Sequence, residues 1–184
     1  MKYNKYETST GRNIHVFREV YDYTHQVNLL KWSLRQQYRF NPGNDSLLLT
    51  SKAEMILSCA RMPATDEFKE MMRFDEIDGL NDIIGDRKMD RHWINCDVSK
   101  GSSHFHPDAF EKGSLSLLYY LNCEWDLSWD GYTVWASDDL KDIEHIESLE
   151  PGKMVLFDSL IPHKPTAVSS TAPSFRYTMN TVWK

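Results

Sequence analysis

The stretch SLSLLYYLN, residues 114–122, carries the clearest β-strand pattern in this chain. It is short, rich in aromatic and branched apolar residues, and bounded by Gly113 and Asn122, which favour turns. Five more segments share these properties, at residues 93–98, 132–137, 142–147, 154–158 and 175–183. Six short strands in succession, preceded by helices, predict a mainly β fold with flanking N-terminal helices, namely a jelly roll of two sheets.

The first half of the chain shows a helical period instead. Apolar residues recur at steps of three and four over residues 20–38, and this spacing predicts a helix with one buried face. The residues of that face are Val20, Tyr23, Val27, Leu30, Leu34 and Tyr38. Residues 51–54 (SKAE) match a capping box, so a second helix is expected over about 51–60. A third helix is expected at about 66–73, with its apolar side chains Phe68, Met71 and Met72 directed inward.

Length and composition are those of a globular protein. The chain has 184 residues, of which 41% are hydrophobic and 12% aromatic, enough to bury a core in one unit. No segment has the composition of a linker, so we expect a single domain over 1–184, with helical support at about 20–90 and a jelly-roll core at about 90–184. The three cysteines form no CxxC pair, which predicts reduced thiols.

Charge and hydropathy limit the classes of partner. The net charge of −6 disfavours a nucleic-acid partner. No apolar run approaches the ~18 residues that a membrane span needs, and the first residues, MKYNKYETSTGRN, lack the apolar core of a signal peptide. We therefore expect a cytoplasmic protein without a membrane partner, present as a monomer or a weak dimer.

Two separated stretches carry groups that suit a metal ion. Residues 106–108 are His-Pro-Asp, and His163 follows later in the chain. His106 and Asp108 alternate across one residue, so on an extended chain both side chains point to the same side. Pro107 cannot donate to a sheet, which places the triplet at a strand end or in a loop. Two imidazoles and one carboxylate suit Fe(II) and leave coordination positions open.

Arg176 adds a cation in the last predicted strand. An Arg directed into a protein interior is costly without a partner, and no nearby acidic residue is an obvious one. A bound carboxylate is then the natural counter-ion, because the guanidinium fork matches it bidentately. His104 remains an alternative metal ligand, since it also lies one residue removed from His106 and would form an HxH pair with it.

Six ordered segments of the second half resemble a known family. They are HPD (106–108), SLLYYLNCEWD (116–126), DG (130–131), LEPGKMVLFDS (149–159), PH (162–163) and RYTMNTVW (176–183). In this order they resemble the Fe(II)/2-oxoglutarate-dependent oxygenases, specifically the branch of the prolyl 4-hydroxylases and the hypoxia-sensing prolyl hydroxylases. The resemblance implies a double-stranded β-helix, an Fe(II) cofactor, and 2-oxoglutarate and dioxygen as co-substrates. On this resemblance the catalytic residues are the metal ligands His106, Asp108 and His163.

The resemblance assigns four further residues to the co-substrate. Arg176 is expected to hold the far carboxylate of 2-oxoglutarate, and Tyr120 to donate its hydroxyl to the same carboxylate. Leu118 shares the face of Tyr120 and would pack along the co-substrate chain. Asn95, on the strand before the triplet, is a candidate for the metal-side end.

The activity implied is hydroxylation of a C–H bond, with a prolyl residue in a peptide or protein as the first expected substrate. A free amino acid, a nucleobase or another small metabolite is the second. A jelly-roll module that binds a metal or ligand without turnover is the third. The chain departs from the family where Tyr132 replaces the second Gly of a GG turn, and where residues 63–90 show no substrate-loop motif. Both departures concern the substrate and not the metal.

Overall fold

A computed structural model of the chain describes residues 1–41, 56–59, 65–97 and 104–184. Within these residues, antiparallel strands form an eight-stranded sheet in the order β1-β2-β9-β6-β11-β5-β4-β3 and a three-stranded sheet in the order β10-β7-β8. The strands are β1 (Lys2–Glu7), β2 (Asn13–Arg18), β3 (Tyr38–Asn41), β4 (Ile56–Cys59), β5 (Met89–Asp97), β6 (Leu115–Tyr120), β7 (Thr133–Ala136), β8 (Ile143–Glu147), β9 (Met154–Asp158), β10 (His163–Pro165) and β11 (Arg176–Trp183). The mainly β fold expected from the sequence is confirmed.

Helices precede the central strands. They are α1 (Tyr23–Leu34), α2 (Asp66–Met72) and α3 (Leu80–Ile84), with short 3-10 helices at Phe74–Glu76 and Leu127–Trp129. Helix α1 begins where the side chain of Asp22 accepts a hydrogen bond from the amide of His25 at 2.8 Å, because such a cap satisfies a free N–H of the first turn. Along the described ranges, no helix is long and apolar enough to cross a membrane.

Strand β6 is buried on both faces and separates two hydrophobic clusters. On one face, Leu117 and Tyr119 pack against the helical layer, which contributes Leu29 of α1 and Phe68 and Met72 of α2. Successive side chains of a strand point to opposite faces, so the residues between them face the three-stranded sheet. The helices therefore cover the outer face of the large sheet.

The second cluster fills the space between the two sheets. Leu118 and Tyr120 of β6 meet Trp135 of β7 and Val155 and Phe157 of β9 there. Trp135 is fully buried, and its ring stands edge-on to that of Phe157 at 5.4 Å between centroids. This inter-sheet space is where the side chains proposed for chemistry converge.

The six strands predicted from the sequence correspond to β5, β6, β7, β8, β9 and β11, with ends shifted by a few residues. The third predicted helix is α2, and its residues Phe68 and Met72 are buried as expected. These predictions are confirmed because they rest on strong local patterns, a two-residue period bounded by turn formers and a capped apolar run.

The predicted buried face of α1 was right only in part. Val20, Leu30 and Tyr38 pack, partly buried, against the core. Tyr23 and Leu34, also expected inward, are 62% and 52% exposed, whereas Leu29 and Ser33 are buried. Trp32 packs against Phe68 of α2 at 6.1 Å between ring centroids. This contact with α2 is a tertiary interaction, and the spacing of apolar residues within α1 alone does not contain it.

Two other expectations for the first half were also wrong. Ile56–Cys59 form strand β4 and not part of a helix, because β4 pairs with β5 and β3 on either side. The rest of that predicted helix lies outside the described residues. Strands β1 and β2 form a hairpin that extends the large sheet beyond β9, so the front of the chain contributes strands as well as helices.

A buried network of charges lies beside the ring of Tyr120. The carboxylate of Glu147 accepts hydrogen bonds from Lys153 Nζ at 2.7 Å, His145 Nε2 at 2.9 Å and Arg18 Nη2 at 3.0 Å. Lys153 has a side chain that is 1% exposed. Burial acts to raise the pKa of Glu147, but the hydrogen bonds from His145 and Lys153 and the cationic charges outweigh it and lower that pKa to about 2.

Replacing Glu147 should expose the contribution of this network. Glu147→Gln should lower the free energy of unfolding at pH 7 by about 3 kcal/mol, because buried Lys153 loses its main counter-ion. The stabilisation by Glu147 is present above its unfolded pKa, near 4.5, and is lost as the pH falls towards 2. The unfolding free energy of the variant should therefore change less across this window than that of the wild type, as measured by urea denaturation at several pH values.

Glu150→Gln is the matched control for that experiment. It removes a more exposed carboxylate 3.3 Å from Lys153 Nζ, and should cost less than about 1 kcal/mol. Equal losses in the two variants would contradict the role given to Glu147.

Candidate active site

Backbone pairing brings the His-Pro-Asp triplet next to strand β10. The amide of His106 donates to the carbonyl of His163, and the amide of His163 donates to the carbonyl of His106, both at 3.1 Å. The amide of Asp108 donates to the carbonyl of Ser159 at 3.0 Å, and Arg91 donates to the carbonyl of Asp108 at 2.6 Å. These hydrogen bonds fix the spacing of the triplet and β10 without help from the three side chains.

The side chains of His106, Asp108 and His163 converge on one point. One ligand atom from each lies within 4.8 Å of the others. His163 Nε2 is 3.5 Å from Asp108 Oδ2, and His106 Nε2 is 4.0 Å from Asp108 Oδ1. The side chains of Asp108 and His163 are 7% and 10% exposed, whereas that of His106 is 49% exposed. The group is therefore buried on one side and open to solvent at His106.

The hydrogen bonds of the two imidazoles occupy the Nδ1 atoms and leave the Nε2 atoms for a metal. His106 Nδ1 lies 2.9 Å from the carbonyl of His104, and His163 Nδ1 lies 3.1 Å from the carbonyl of Ile161. Because a carbonyl can only accept, each Nδ1 carries a hydrogen, and in the neutral imidazole Nε2 is then the atom able to bind a metal. Metal-binding histidines are oriented in this way. Two neutral imidazoles and a carboxylate fit a divalent transition ion such as Fe(II).

Aromatic rings surround His163. The ring of Phe157 stands edge-on to it at 4.7 Å, and that of Trp135 lies stacked at 6.5 Å between centroids. Burial lowers the pKa of His163, against the charge of Asp108, which raises it. The imidazole is therefore held in the neutral form that a metal requires.

His104, the alternative ligand, lies outside this group. Among the described residues, the ligand atoms that converge come from His106, Asp108 and His163. His104 is exposed and contributes its backbone carbonyl to the orientation of His106.

Arg176 begins β11 and is 2% exposed. Its Nε donates to the carbonyl of Gly131 at 2.9 Å, and its Nη2 donates to Thr133 Oγ1 at 2.8 Å. Its Nη1 donates to Oδ2 of Asp97, the residue opposite it across β11 and β5. The expectation that Arg176 has no acidic partner was wrong, because Asp97 is distant in sequence and reaches it only through strand pairing.

The carboxylate of Asp97 is incompletely satisfied. The residue is 3% exposed, and burial raises its pKa, opposed by the charge and hydrogen bond of Arg176. Within the part of the chain that the structure describes, its Oδ1 has no hydrogen-bond donor. Buried polar atoms are normally paired, so this oxygen is able to accept a further hydrogen bond.

Tyr120 and Thr133 complete a cluster with Arg176. The hydroxyl of Tyr120 donates to Thr133 Oγ1 at 2.9 Å, and its ring centroid lies 5.5 Å from the guanidinium carbon of Arg176. Burial raises the pKa of Tyr120 to about 12, so the hydroxyl keeps its hydrogen. Both residues are therefore placed where a carboxylate on Arg176 would meet hydroxyl groups.

The other two residues assigned to a co-substrate share this interior face. Leu118 is 6% exposed and packs between the sheets. Thr178 of β11 lies opposite both Tyr120 and Asn95, so these three share one face of the sheet. The buried hydroxyl of Thr178 lacks a hydrogen-bond partner among the described residues. An unsatisfied hydroxyl two residues from Arg176 is able to form a hydrogen bond with a ligand in this space.

Gly131 and Asn122 hold Arg176 in position. Gly131 has a φ of 74°, and a Cβ there would lie 3.2 Å from Cδ of Arg176. Asn122 accepts a hydrogen bond from the amide of Tyr177 at 2.8 Å and donates to the carbonyl of Phe175 at 2.9 Å. The Asn of the YYLN segment thereby binds the backbone on both sides of Arg176.

Tyr132, which stands where a second Gly was expected, folds back onto its own loop. Its hydroxyl donates to the carbonyl of Leu127 at 3.1 Å, and its amide donates to Thr166 Oγ1 at 2.9 Å. The turn at Gly131 is therefore formed with one glycine.

Several of these residues were missed by the sequence analysis, although two carried a signal. Asp97 lies two residues from Asn95 in one predicted strand, so the two share a face. Thr133 lies in the strand predicted at 132–137. The roles of Gly131 and Asn122 depend on contacts with β11, which no local pattern indicates.

Comparisons with solved structures identify the fold. The chain is similar to a 2OG-Fe(II) oxygenase family oxidoreductase of Burkholderia pseudomallei (TM-score 0.69, 11% identity, 93% of this chain and 85% of that one). It is similar to a Pseudomonas putida prolyl-4-hydroxylase (0.62, 17%, 92% and 90%), and to HygX of Streptomyces hygroscopicus with nickel and 2-oxoglutarate bound (0.67, 10%, 92% and 82%). No family model and no curated protein matches the sequence. The fold is the double-stranded β-helix of 2-oxoglutarate oxygenases, as the ordered segments implied.

Gly131→Ala should test the tight approach of the turn to Arg176. The added Cβ would lie 3.2 Å from Cδ of Arg176 and 3.3 Å from the ring of Trp125, so the free energy of unfolding should fall by about 1 kcal/mol more than the strain of a positive φ alone explains. Gly79→Ala is the control, because Gly79 has the same φ of 74° and nothing within 4 Å of an added Cβ. Denaturant titration measures both variants. Equal losses would contradict the contact.

His163→Ala should test the group of metal ligands. We expect its affinity for Ni(II), measured by calorimetry, to fall by more than about 100-fold, since loss of a mere supporting group costs 10–100-fold. His104→Ala keeps the carbonyl that orients His106 and should bind Ni(II) like the wild type. An unchanged affinity in His163→Ala would exclude this group as the site.

Proposed function

We propose that this protein is an Fe(II)- and 2-oxoglutarate-dependent dioxygenase that hydroxylates a C–H bond, with a prolyl residue in a peptide or protein as substrate. The proposal treats residues 1–184 as one domain, because the large sheet combines strands from both ends of the chain. The observation that carries it is the convergence of His106, Asp108 and His163 on one point that is open to solvent at His106. The same two-sheet fold holds the buried Arg176. The fold of the neighbours supports it.

The proposal gives separate groups of residues to the metal and to the co-substrate. Bound iron, with 2-oxoglutarate and dioxygen, supplies the oxidising chemistry for C–H hydroxylation. His106, Asp108 and His163 would hold the ion, and three ligands leave coordination positions open. Arg176 would lie at the far end of the co-substrate, with Thr178 and the Tyr120–Thr133 pair beside it. Trp135 and Phe157 keep water from the buried side of His163.

A polypeptide substrate is favoured by the open side of the site. The side chain of His106 is 49% exposed, and Phe110, two residues beyond Asp108, is 88% exposed. A large partner can reach such a group, and an exposed aromatic ring offers it apolar contact area. The YYLN and R-Y-x-x-x-x-W segments resemble those of prolyl hydroxylases, and a Trichoplax adhaerens prolyl hydroxylase solved with a hypoxia inducible factor peptide shares the fold.

A small-molecule substrate is the second candidate. HygX of Streptomyces hygroscopicus has been solved with hygromycin B, nickel and 2-oxoglutarate bound, and it shares this fold with TM-score 0.65. Since proteins of this fold accept both peptides and small molecules, the substrate has to be determined by assay.

The test is formation of succinate from 2-oxoglutarate by the Fe(II)-loaded protein. Wild type should form succinate slowly alone and faster with proline-containing peptides, whereas His106→Ala should form none above background, because it lacks a ligand that holds the ion. His104→Ala is the control and should retain the wild-type rate. Full activity in His106→Ala would reject the proposed ligands. Stimulation by small metabolites and not by peptides would favour the second candidate.

A further inference from the structure

Asp97 is the residue beside Arg176 that the proposed function leaves unexplained. Each nitrogen of the Arg176 guanidinium already has a protein partner: the carbonyl of Gly131, the hydroxyl of Thr133 and the carboxylate of Asp97. Asp97 and Arg176 are directly opposite each other on β5 and β11. Arg176, which was expected to bind the carboxylate of a co-substrate, is therefore already paired with the carboxylate of Asp97.

The pairing changes the charge that a ligand meets. Arg176 and Asp97 together are neutral, and both are almost fully buried. A co-substrate carboxylate brought to the same guanidinium would lie close to a second carboxylate, and like charges in a buried site repel strongly. The repulsion from Asp97 therefore largely cancels the attraction of Arg176 for the co-substrate carboxylate.

The pair formed by Arg176 and Asp97 keeps one oxygen available to a ligand. Oδ1 of Asp97 has no donor within the described part of the chain. Among the described residues, the hydroxyl of Thr178, on the face that holds Arg176, is unsatisfied as well. The charge of Arg176 is therefore balanced by Asp97, while both side-chain oxygens are still able to form hydrogen bonds, which suits a ligand with little charge at its far end.

We propose that Asp97 determines the specificity for the co-substrate: it competes with the far carboxylate of a 2-oxo diacid for Arg176, and so removes most of the preference for diacids over 2-oxo monoacids. The inference rests on the proposed function, since it concerns the co-substrate of that site. It predicts that the co-substrate is bound chiefly through its 2-oxo acid end at the metal, and that Arg176 adds little while Asp97 is present.

The test compares two ligands by calorimetry on the Ni(II)-loaded protein. They are 2-oxoglutarate and 2-oxopentanoate, which has the same chain length and a methyl group where the far carboxylate would be. The wild type should bind them with dissociation constants within about tenfold of each other, although a free buried Arg would favour the diacid by more than that. A wild-type preference above tenfold would overturn the proposal, and this measurement needs no variant.

Asp97→Asn provides the second measurement. It keeps the shape of the side chain and removes its charge, so the preference for 2-oxoglutarate should rise by at least about tenfold, while binding of 2-oxopentanoate should not tighten. An unchanged or smaller preference in a folded variant would overturn the proposal. Asp90→Asn, the same change at an exposed position of β5, is the control and should leave both affinities unaltered.

The two hypotheses fail differently. If the protein binds Ni(II) and both 2-oxo acids but prefers the diacid strongly, only the role of Asp97 is rejected. If it binds Ni(II) and neither 2-oxo acid, in the wild type or in Asp97→Asn, the proposed function is rejected and the role of Asp97 with it.

Discussion

Strand β6 has no face exposed to water, and this burial determines where everything else lies. Its alternate side chains enter two clusters, Leu117 and Tyr119 on the helical side and Leu118 and Tyr120 between the sheets. Helices must cover the first face and a second sheet must cover the other, since apolar surface left in water would cost about 25 cal/mol per Å². The two-sheet arrangement places β7 and β10 opposite β6, and the proposed ligand His163 lies on β10. The position of the site is thus a consequence of burying one strand.

The charged side chains of this apolar interior form ion pairs. The ring of Tyr120 lies 5.5 Å from the guanidinium carbon of Arg176 and 6.0 Å from the ammonium of Lys153, and each cation has its own buried carboxylate, Asp97 or Glu147. The two pairs differ in how completely they are satisfied. Glu147 has hydrogen bonds to both oxygens, whereas within the described ranges Asp97 has a hydrogen bond at one oxygen and none at the other. The pair of Glu147 and Lys153 is therefore suited to stabilise the fold. The pair of Asp97 and Arg176 is suited to form further hydrogen bonds with a ligand.

The sequence predicted what depends on short-range order. A two-residue period locates the strands, and the spacing within 106–108 places His106 and Asp108 on one side of the chain. What could not be predicted depends on strand pairing over long separations. Asp97 becomes the partner of Arg176 only because β5 and β11 are neighbours in the sheet. The buried face of α1 and the strand at Ile56–Cys59 follow the same rule, because tertiary contacts override local propensity.

The mutual hydrogen bonds between the backbones of His106 and His163 make the spacing of the two imidazoles a property of the polypeptide and not of any ion. A site assembled in advance loses little conformational freedom when it is filled. An ion would then enter and leave as an exchangeable solute, and the fold would not melt when it departs, unlike domains that metals fold. With His106 as the solvent-exposed ligand, exchange would occur from that side, so the metal content of the protein would follow the supply of divalent ions around it.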